Sequence, residues 1–260
     1  MKWKPPSLLM DFKKYEIILK EQFPENDIID LSKIPFLTPT TLLPLINFAE
    51  KNHIYRYKVH DNTNEYIKTV FGITKPKKTT IPYKIFNNNK RENTKISSEF
   101  ANLLDESYGG INALNFLVHE IINNMHDHSY FNKGQTFAQY YPNQNLGDIC
   151  FMDDGISIPG RFEECGFEFE NDCDAIYQAI NGRSSDILKQ NIRGTGLNSS
   201  INLVKNGIEG SILIASRKGL CYINNKTIYK KIEDLKGTLI SLRIKQKVVN
   251  IYDYMEHIRI

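Results

Sequence analysis

The chain has 260 residues, 41% hydrophobic and 24% charged, with 33 Lys and Arg against 30 Asp and Glu. That apolar fraction excludes disorder as the main state and suffices for one large domain or two small ones. The formal charge of +3 conceals a split: residues 1–95 carry 17 Lys and Arg against 10 Asp and Glu, and the remainder has an acidic excess. Such a split predicts two units with different partners.

Residues 1–12 hold charges and two prolines where a signal peptide needs an apolar core, and no apolar run approaches the roughly 20 residues of a membrane helix. Cys150, Cys165, Cys173 and Cys221 form no close CxxC pair, which argues against a disulfide framework or a zinc knuckle. The expectation is a cytoplasmic protein with no membrane partner.

In chain order, residues 27–34 read as a short buried strand, with 16–19 as the only candidate for an earlier one. Residues 40–52 read as a helix with Thr38 as N-cap and Pro44 in the first turn, where a missing N–H is tolerated. A strand over 54–60 and a helix over 62–71, closed by Gly72, complete a small βαβα unit with parallel strands over residues 1–74. Residues 75–96 are basic: Lys75, Lys77, Lys78, Lys84, Lys90, Arg91 and Lys95 accompany Asn87–Asn89. They read as a linker or exposed edge. A nucleic-acid patch usually adds stacking aromatics, and Tyr83 and Phe86 are thin support for one.

The second unit, 97–260, starts helical, with Phe100, Leu103 and Leu104 on one face. A long helix follows Gly109-Gly110 and runs to about Ser129. Strands are predicted at 136–141, 148–152, 211–216 and 237–244, helices at 172–181 and 197–205, and a hairpin over 221–229. The pattern is α+β, helices first and a mixed sheet later.

On the long helix, Leu114, Leu117, Val118, Ile121 and Met125 form an apolar stripe. Off the stripe, Glu120, Asn124 and His128 recur every four residues on one face, with Asp127 beside them. A carboxylate there can act as a general base and an amide oxygen can meet a hard cation; the alternative is a solvated polar face. His119-Glu120 opens an H-E-x-x-H zinc motif, but residue 123 is Asn123, and His126 and His128 point to different faces. No G-x-x-x-x-G-K-[ST] phosphate loop is present.

Asp153-Asp154-Gly155 ends an apolar strand. It reads either as a carboxylate at the sheet edge, with Gly155 letting a flat ring approach, or as ordinary turn chemistry. Gly194 and Gly196 precede a helix, an arrangement that suits a phosphate. As a dinucleotide fingerprint the stretch fails, because Ser199 stands at the third glycine.

Taken in order, the helix with Glu120 and Asn124, then Asp153-x-Gly155, then Gly194-x-Gly196, then Gly237-Thr238 resembles the ATP-binding domain of the GHKL superfamily over residues 97–245. The resemblance implies a two-layer α/β sandwich, a mixed sheet covered by helices, that binds ATP and Mg2+. It implies that Glu120 activates water or a hydroxyl and that Asn124 binds Mg2+. Asp153 would accept from the adenine amino group, with Gly155 and Thr238 beside the base. Gly194, Thr195, Gly196 and Leu197 would hold the phosphates, with Arg193 as a further phosphate contact. His128 matches a histidine of the kinase-like branch, and residues 161–192 would be a lid. Ser157 departs from the family pattern by replacing the second glycine of D-x-G-x-G.

The segment IIDLSKIPFLTPTTLLPLI resembles the strand-turn-helix of STAS domains, with Thr40 where a phospho-acceptor would be and Thr38 in place of the usual preceding acid. The resemblance implies a docking unit for a protein partner, a second copy of the chain being the other partner considered. Three functions are compatible with these residues: slow ATP hydrolysis coupled to lid closure and partner switching, a Ser/Thr kinase acting on a STAS partner, and a non-catalytic nucleotide-sensing adaptor. Nucleic acid is not an expected partner.

Overall fold

A computed structural model describes residues 5–22, 28–75, 78–88, 96, 98–100, 107–183 and 196–254. The first elements are α1 (Leu8–Gln22), β1 (Ile28–Leu31), α2 (Pro39–Lys51), β2 (Arg56–Val59) and α3 (Asp61–Val70). β1 and β2 pair in parallel, Ile29 opposite Tyr57 and Leu31 opposite Val59, as the βαβ order requires. Helix α3 stops in a Schellman motif: Gly72 has φ +68°, its N–H donates to Thr69 O, and Ile73 N–H donates to Lys68 O. The region around residues 16–19 is helical within α1; no strand forms there.

The remaining elements are β3 (Thr80–Phe86), β4 (Tyr108–Gly109), α4 (Ile111–His128), β5 (Gly134–Tyr141), β6 (Leu146–Asp153), α5 (Ile158–Glu164), α6 (Asp172–Ile180), α7 (Gly196–Asn202), β7 (Ser211–Ile223), β8 (Thr227–Lys245) and β9 (Lys247–Val248). Five strands form one sheet in the order β3-β5-β6-β8-β7, antiparallel throughout. The architecture is α+β, but the expected mixed sheet is corrected to an antiparallel one. The strands expected at 211–216 and 237–244, with the hairpin between them, are one continuous β7–β8 hairpin. Leu103 and Leu104 lie outside the described residues.

Helices cover both faces of this sheet, so two layers become three. Alternation along β6 shows why: Ile149 and Phe151 face one core, Cys150 and Met152 the other. The first core receives Leu114, Leu117, Val118, Ile121 and Met125 of α4, the stripe expected from the sequence. The second receives Leu8, Phe12, Tyr15 and Ile18 of α1 and Leu42, Leu43 and Ile46 of α2. Among the described residues, α1, β1, α2 and α3 therefore share a core with the sheet.

The expected linker 75–96 is also revised. Its central part is β3, the edge strand paired with β5; Lys84 forms an ion pair with Glu99, and Tyr83 OH accepts from Gln135 at 2.9 Å. A buried polar junction fixes α1 to the back of the sheet. Arg243 of β8 donates to both oxygens of Asp148 at 2.6 and 2.7 Å and to Asp11 Oδ2 at 3.2 Å. Burial pushes the Asp11 carboxyl up to about 7 despite Arg243 beside it.

Candidate functional site

Helix α4 runs across the sheet face so that its apolar stripe is buried, leaving Glu120, Asn124 and His128 on successive turns half-buried along one side. The end of β6, the start of α5, the start of α7 and residues 238–240 of β8 close on that side. Together they line a cavity of about 130 Å3, several times the ~10–15 Å3 that one water needs. Its walls include Asn124, Met125 and His128, then Asp153, Ser157, Arg161 and Phe162, then Gly196 and Leu197, then Thr238 and Ile240. With Ala179 and Arg183, residues drawn from five separate stretches of sequence thus meet in one place.

Asp153 is the acidic group of the cavity wall and is 2% exposed. Its Oδ1 accepts from Gly155 N–H at 2.9 Å. Burial pushes its carboxyl up to about 7, and the neighbouring Asp154 charge acts the same way; the N–H groups of Gly155 and Thr238 oppose the rise. Asp154 faces the other way. Its Oδ1 accepts from the N–H groups of Asn132 and Lys133, both at 2.9 Å, and so ties the turn to the loop after α4. Asp154 thus follows the turn reading, while Asp153 lies in the cavity wall at the end of β6.

Thr238 pairs with Asp153 across the β6–β8 ladder, and its hydroxyl lies 2.9 Å from Ser216 Oγ. Ser216 Oγ also accepts from Ile158 N–H at 2.9 Å, so one buried hydroxyl joins β7, β8 and the start of α5 beneath the cavity. Gly237, at φ +85°, lets β8 pass so close to Asp153 that a Cβ would collide with the Asp153 carbonyl.

Gly155 is needed for a reason other than the approach of a flat ring. A Cβ on it would strike the backbone carbonyl of Ser129, whose oxygen accepts from Ile156 N–H at 2.9 Å. The glycine therefore docks the turn onto the end of α4; it supports the cavity and is not part of its wall. Glu120 is not part of the wall either. Its carboxylate lies against Gly196, close enough that a Cβ there would collide with Oε2. Arg193, Gly194 and Thr195 lie outside the described residues.

Ser157 adopts φ +75° and ψ 164°, a region that is essentially reserved for glycine. The departure from the glycine pattern thus leaves the backbone path of a glycine in place. The serine adds an N-cap, its hydroxyl accepting from Gly160 N–H at 3.1 Å at the start of α5.

Two arginines on this wall were not singled out from the sequence. The Arg161 guanidinium lies 4.8 Å from the Tyr130 ring centroid and pairs with Glu164. Arg183 lies 4.4 Å from the Phe167 ring centroid and also borders the cavity. No spacing signal marks them, because they reach the site only through the packing of α5 and α6. The expected lid, residues 161–192, begins on those helices. Asp172 accepts from Arg217 Nε at 3.0 Å and from Arg217 Nη2 at 2.6 Å, and Glu163 pairs with the same arginine at 2.7 Å. Residues 161–183 are therefore fastened to β7, and 184–192 lie outside the described residues.

Thr40, the candidate phospho-acceptor, is fully buried and its hydroxyl has no hydrogen-bond partner. In this arrangement it is not presented to a kinase. Among the described residues no three His, Cys, Asp or Glu side chains converge as metal ligands, and no helix is long and apolar enough to cross a membrane. No family model matches the chain, and no curated protein matches it.

Proposed function

We propose that this chain binds Mg-ATP in the manner of histidine-kinase-like ATPases, hydrolyses it slowly and couples the bound state to a protein partner. The observation that carries the reading is convergence: Asn124, His128, Asp153, Gly196, Leu197 and Thr238, which the resemblance names, border one cavity, with Glu120 against Gly196.

The donor chemistry suits a hard cation. Asn124 offers a neutral amide oxygen on α4, and Mg2+ is commonly held by one or two protein oxygens with the rest from phosphates and water. Bound with the nucleotide, Mg2+ would be held on the protein side by Asn124 and would supply positive charge against the charge that develops in phosphoryl transfer. The residues of the chain do the rest. Asp153, as the carboxylate, accepts from an exocyclic amine of the base. The apolar wall of Met125, Phe162 and Ile240 excludes water beside it. Glu120 orients the attacking water or hydroxyl and takes its proton. Arg161 and Arg183 add positive charge to a half of the chain that is acidic overall.

Calorimetric titration with Mg-ATP tests the reading. Asp153→Ala is expected to abolish binding, while Glu120→Ala retains binding and loses phosphate release. Binding that survives Asp153→Ala overturns the site. Labelled ATP then separates the alternatives: free phosphate supports the ATPase, label on a STAS-domain protein supports a kinase, and tight binding with neither supports a nucleotide sensor.

A further inference from the structure

The β1–β2 pair is a sheet of only two strands, and among the described residues β2 pairs with β1 alone. A lone two-stranded unit is a marginal structure in water, and an unpaired strand edge is a template for another chain. The register defines that edge. His60 N–H donates to Leu31 O, so His60 and the residues in phase with it, Lys58 and Arg56, direct their backbone groups towards β1. By the alternation of the pleat, Tyr57 and Val59 direct theirs outward.

The two faces beside this edge differ in chemistry. On one side, in line with Ile29 and Leu31, Tyr57 borders a largely apolar groove of about 290 Å3 that also includes Leu42, Ile67 and Phe71, with Glu50 and Arg56 as its charged lining. Tyr55 and Tyr57 are 74% and 51% exposed there. On the other side Lys58 is exposed, and it and Lys33 both act on the Asp30 carboxylate; Arg56, also exposed, adds its charge at the rim of the groove. Asp30, the acid opposite Lys58, already accepts from Ser32 N–H and Oγ at 2.9 and 2.6 Å. The excess on that face is positive.

We infer that the outer edge of β2 is a docking site for an extended segment of a partner protein, one that alternates apolar and acidic side chains and adds a third strand. Backbone pairing with Tyr57 and Val59 supplies affinity, apolar side chains enter the groove, and carboxylates meet Arg56 and Lys58. A second copy of this chain is a poor occupant of the same edge, because antiparallel pairing of β2 with itself sets Arg56 and Lys58 against their own kind. The inference does not depend on nucleotide binding.

The probe is a fluorescein-labelled peptide of alternating Val and Glu, about eight residues long, a usual strand length. With the full chain and no nucleotide, fluorescence polarisation is expected to show saturable binding that weakens with salt, and a Val/Lys peptide is expected not to bind. Arg56→Glu with Lys58→Glu should weaken the Val/Glu peptide about tenfold, the worth of two lost cross-strand pairs. Tyr57→Pro, which removes an outward N–H, should weaken it similarly. If that variant fails to fold, slowed amide exchange at Tyr57 and Val59 on peptide addition reads the same contact in the unaltered chain. Absence of Val/Glu binding, equal binding of Val/Lys, indifference to the charge reversal, or unchanged exchange at both amides would overturn the proposal. Peptide binding that is displaced by self-association through β2 would overturn it in favour of a homodimer edge.

Discussion

The carboxylate of Glu120 occupies the space that a side chain at residue 196 would need. An acid on α4 and the first residue of α7, far apart in sequence, are thus fitted to each other, and α4 and α7 cannot be altered independently at this point. The atom in the way is the end of a flexible side chain, so a Cβ at residue 196 would displace Glu120 without forcing the backbone apart. Gly196→Ala should therefore leave the thermal midpoint nearly unchanged while lowering phosphate release about 100-fold, the usual cost of a misplaced group. Its effect should be absent in a Glu120→Ala background, and a double-mutant cycle on turnover measures that.

The opposite balance holds at Gly155 and Gly237. There an added Cβ meets backbone carbonyls, of Ser129 and Asp153 respectively, and neither can rotate away. Each glycine-to-alanine change should destabilise the chain by about 1–3 kcal/mol. At Gly237 the positive φ adds strain to the collision. Chemical denaturation reads both.

Asp153 makes binding and stability depend on pH in opposite senses. Its folded carboxyl is raised to about 7, above its ordinary value, so its contribution to stability is full at acid pH below that ordinary value and is lost as pH rises towards 7. Binding of a base through an exocyclic amine needs the carboxylate, so affinity should fall about tenfold for each pH unit below 7. Asp153→Asn should flatten the stability profile over that window, and calorimetry from pH 5.5 to 8.5 should show affinity rising and then levelling in the unaltered chain. Asp11, also raised to about 7, contributes to stability with the same sign in both proteins, so the comparison with Asp153→Asn isolates Asp153.

Ser157 holds a backbone region reserved for glycine, at a cost of roughly 1–3 kcal/mol. Ser157→Gly relieves that strain and loses only a few tenths of a kcal/mol at the helix cap. The net expectation is a stabilisation of about 1 kcal/mol in urea melts, with nucleotide affinity retained.

The Arg243 junction should be the most sensitive point on the back face. Arg243→Met leaves Asp148 and Asp11 buried without their cation, and breaking a buried pair in this way costs about 3–5 kcal/mol. Because α1 contributes Asp11, the loss should appear as proteolysis within residues 8–22 before the sheet is cut.

Much of the α4–β6 region was legible in the sequence, since periodicity and turn chemistry are local. The stripe from Leu114 to Met125 had to face a core, and Glu120, Asn124 and His128 had to share the other side of the helix. The glycine and aspartate landmarks could be ordered along the chain without knowing where they meet. What α1 does was not legible. Residues 16–19 read only as a candidate strand, and the burial of α1 depends on β7 and β8, strands that begin almost 190 residues after it ends.

By itself, then, the sequence determined the α+β character, the amphipathic α4, the positions of the main turns and the set of polar residues available for a site. Spacing along one chain decides these. The tertiary structure alone decided that the sheet is antiparallel and covered on both faces. It alone separated Asp153 from Asp154, set Gly155 against Ser129 instead of a ligand, and brought Arg161 and Arg183 to the cavity wall. Each of those outcomes depends on contacts between residues distant in sequence, whose energies no local pattern records. The charge split between the two halves marks no boundary between cores: α1, α2 and α3 of the basic half pack on the back of the sheet, β3 of the same half is its edge strand, and Arg56 and Lys58 remain exposed on β2.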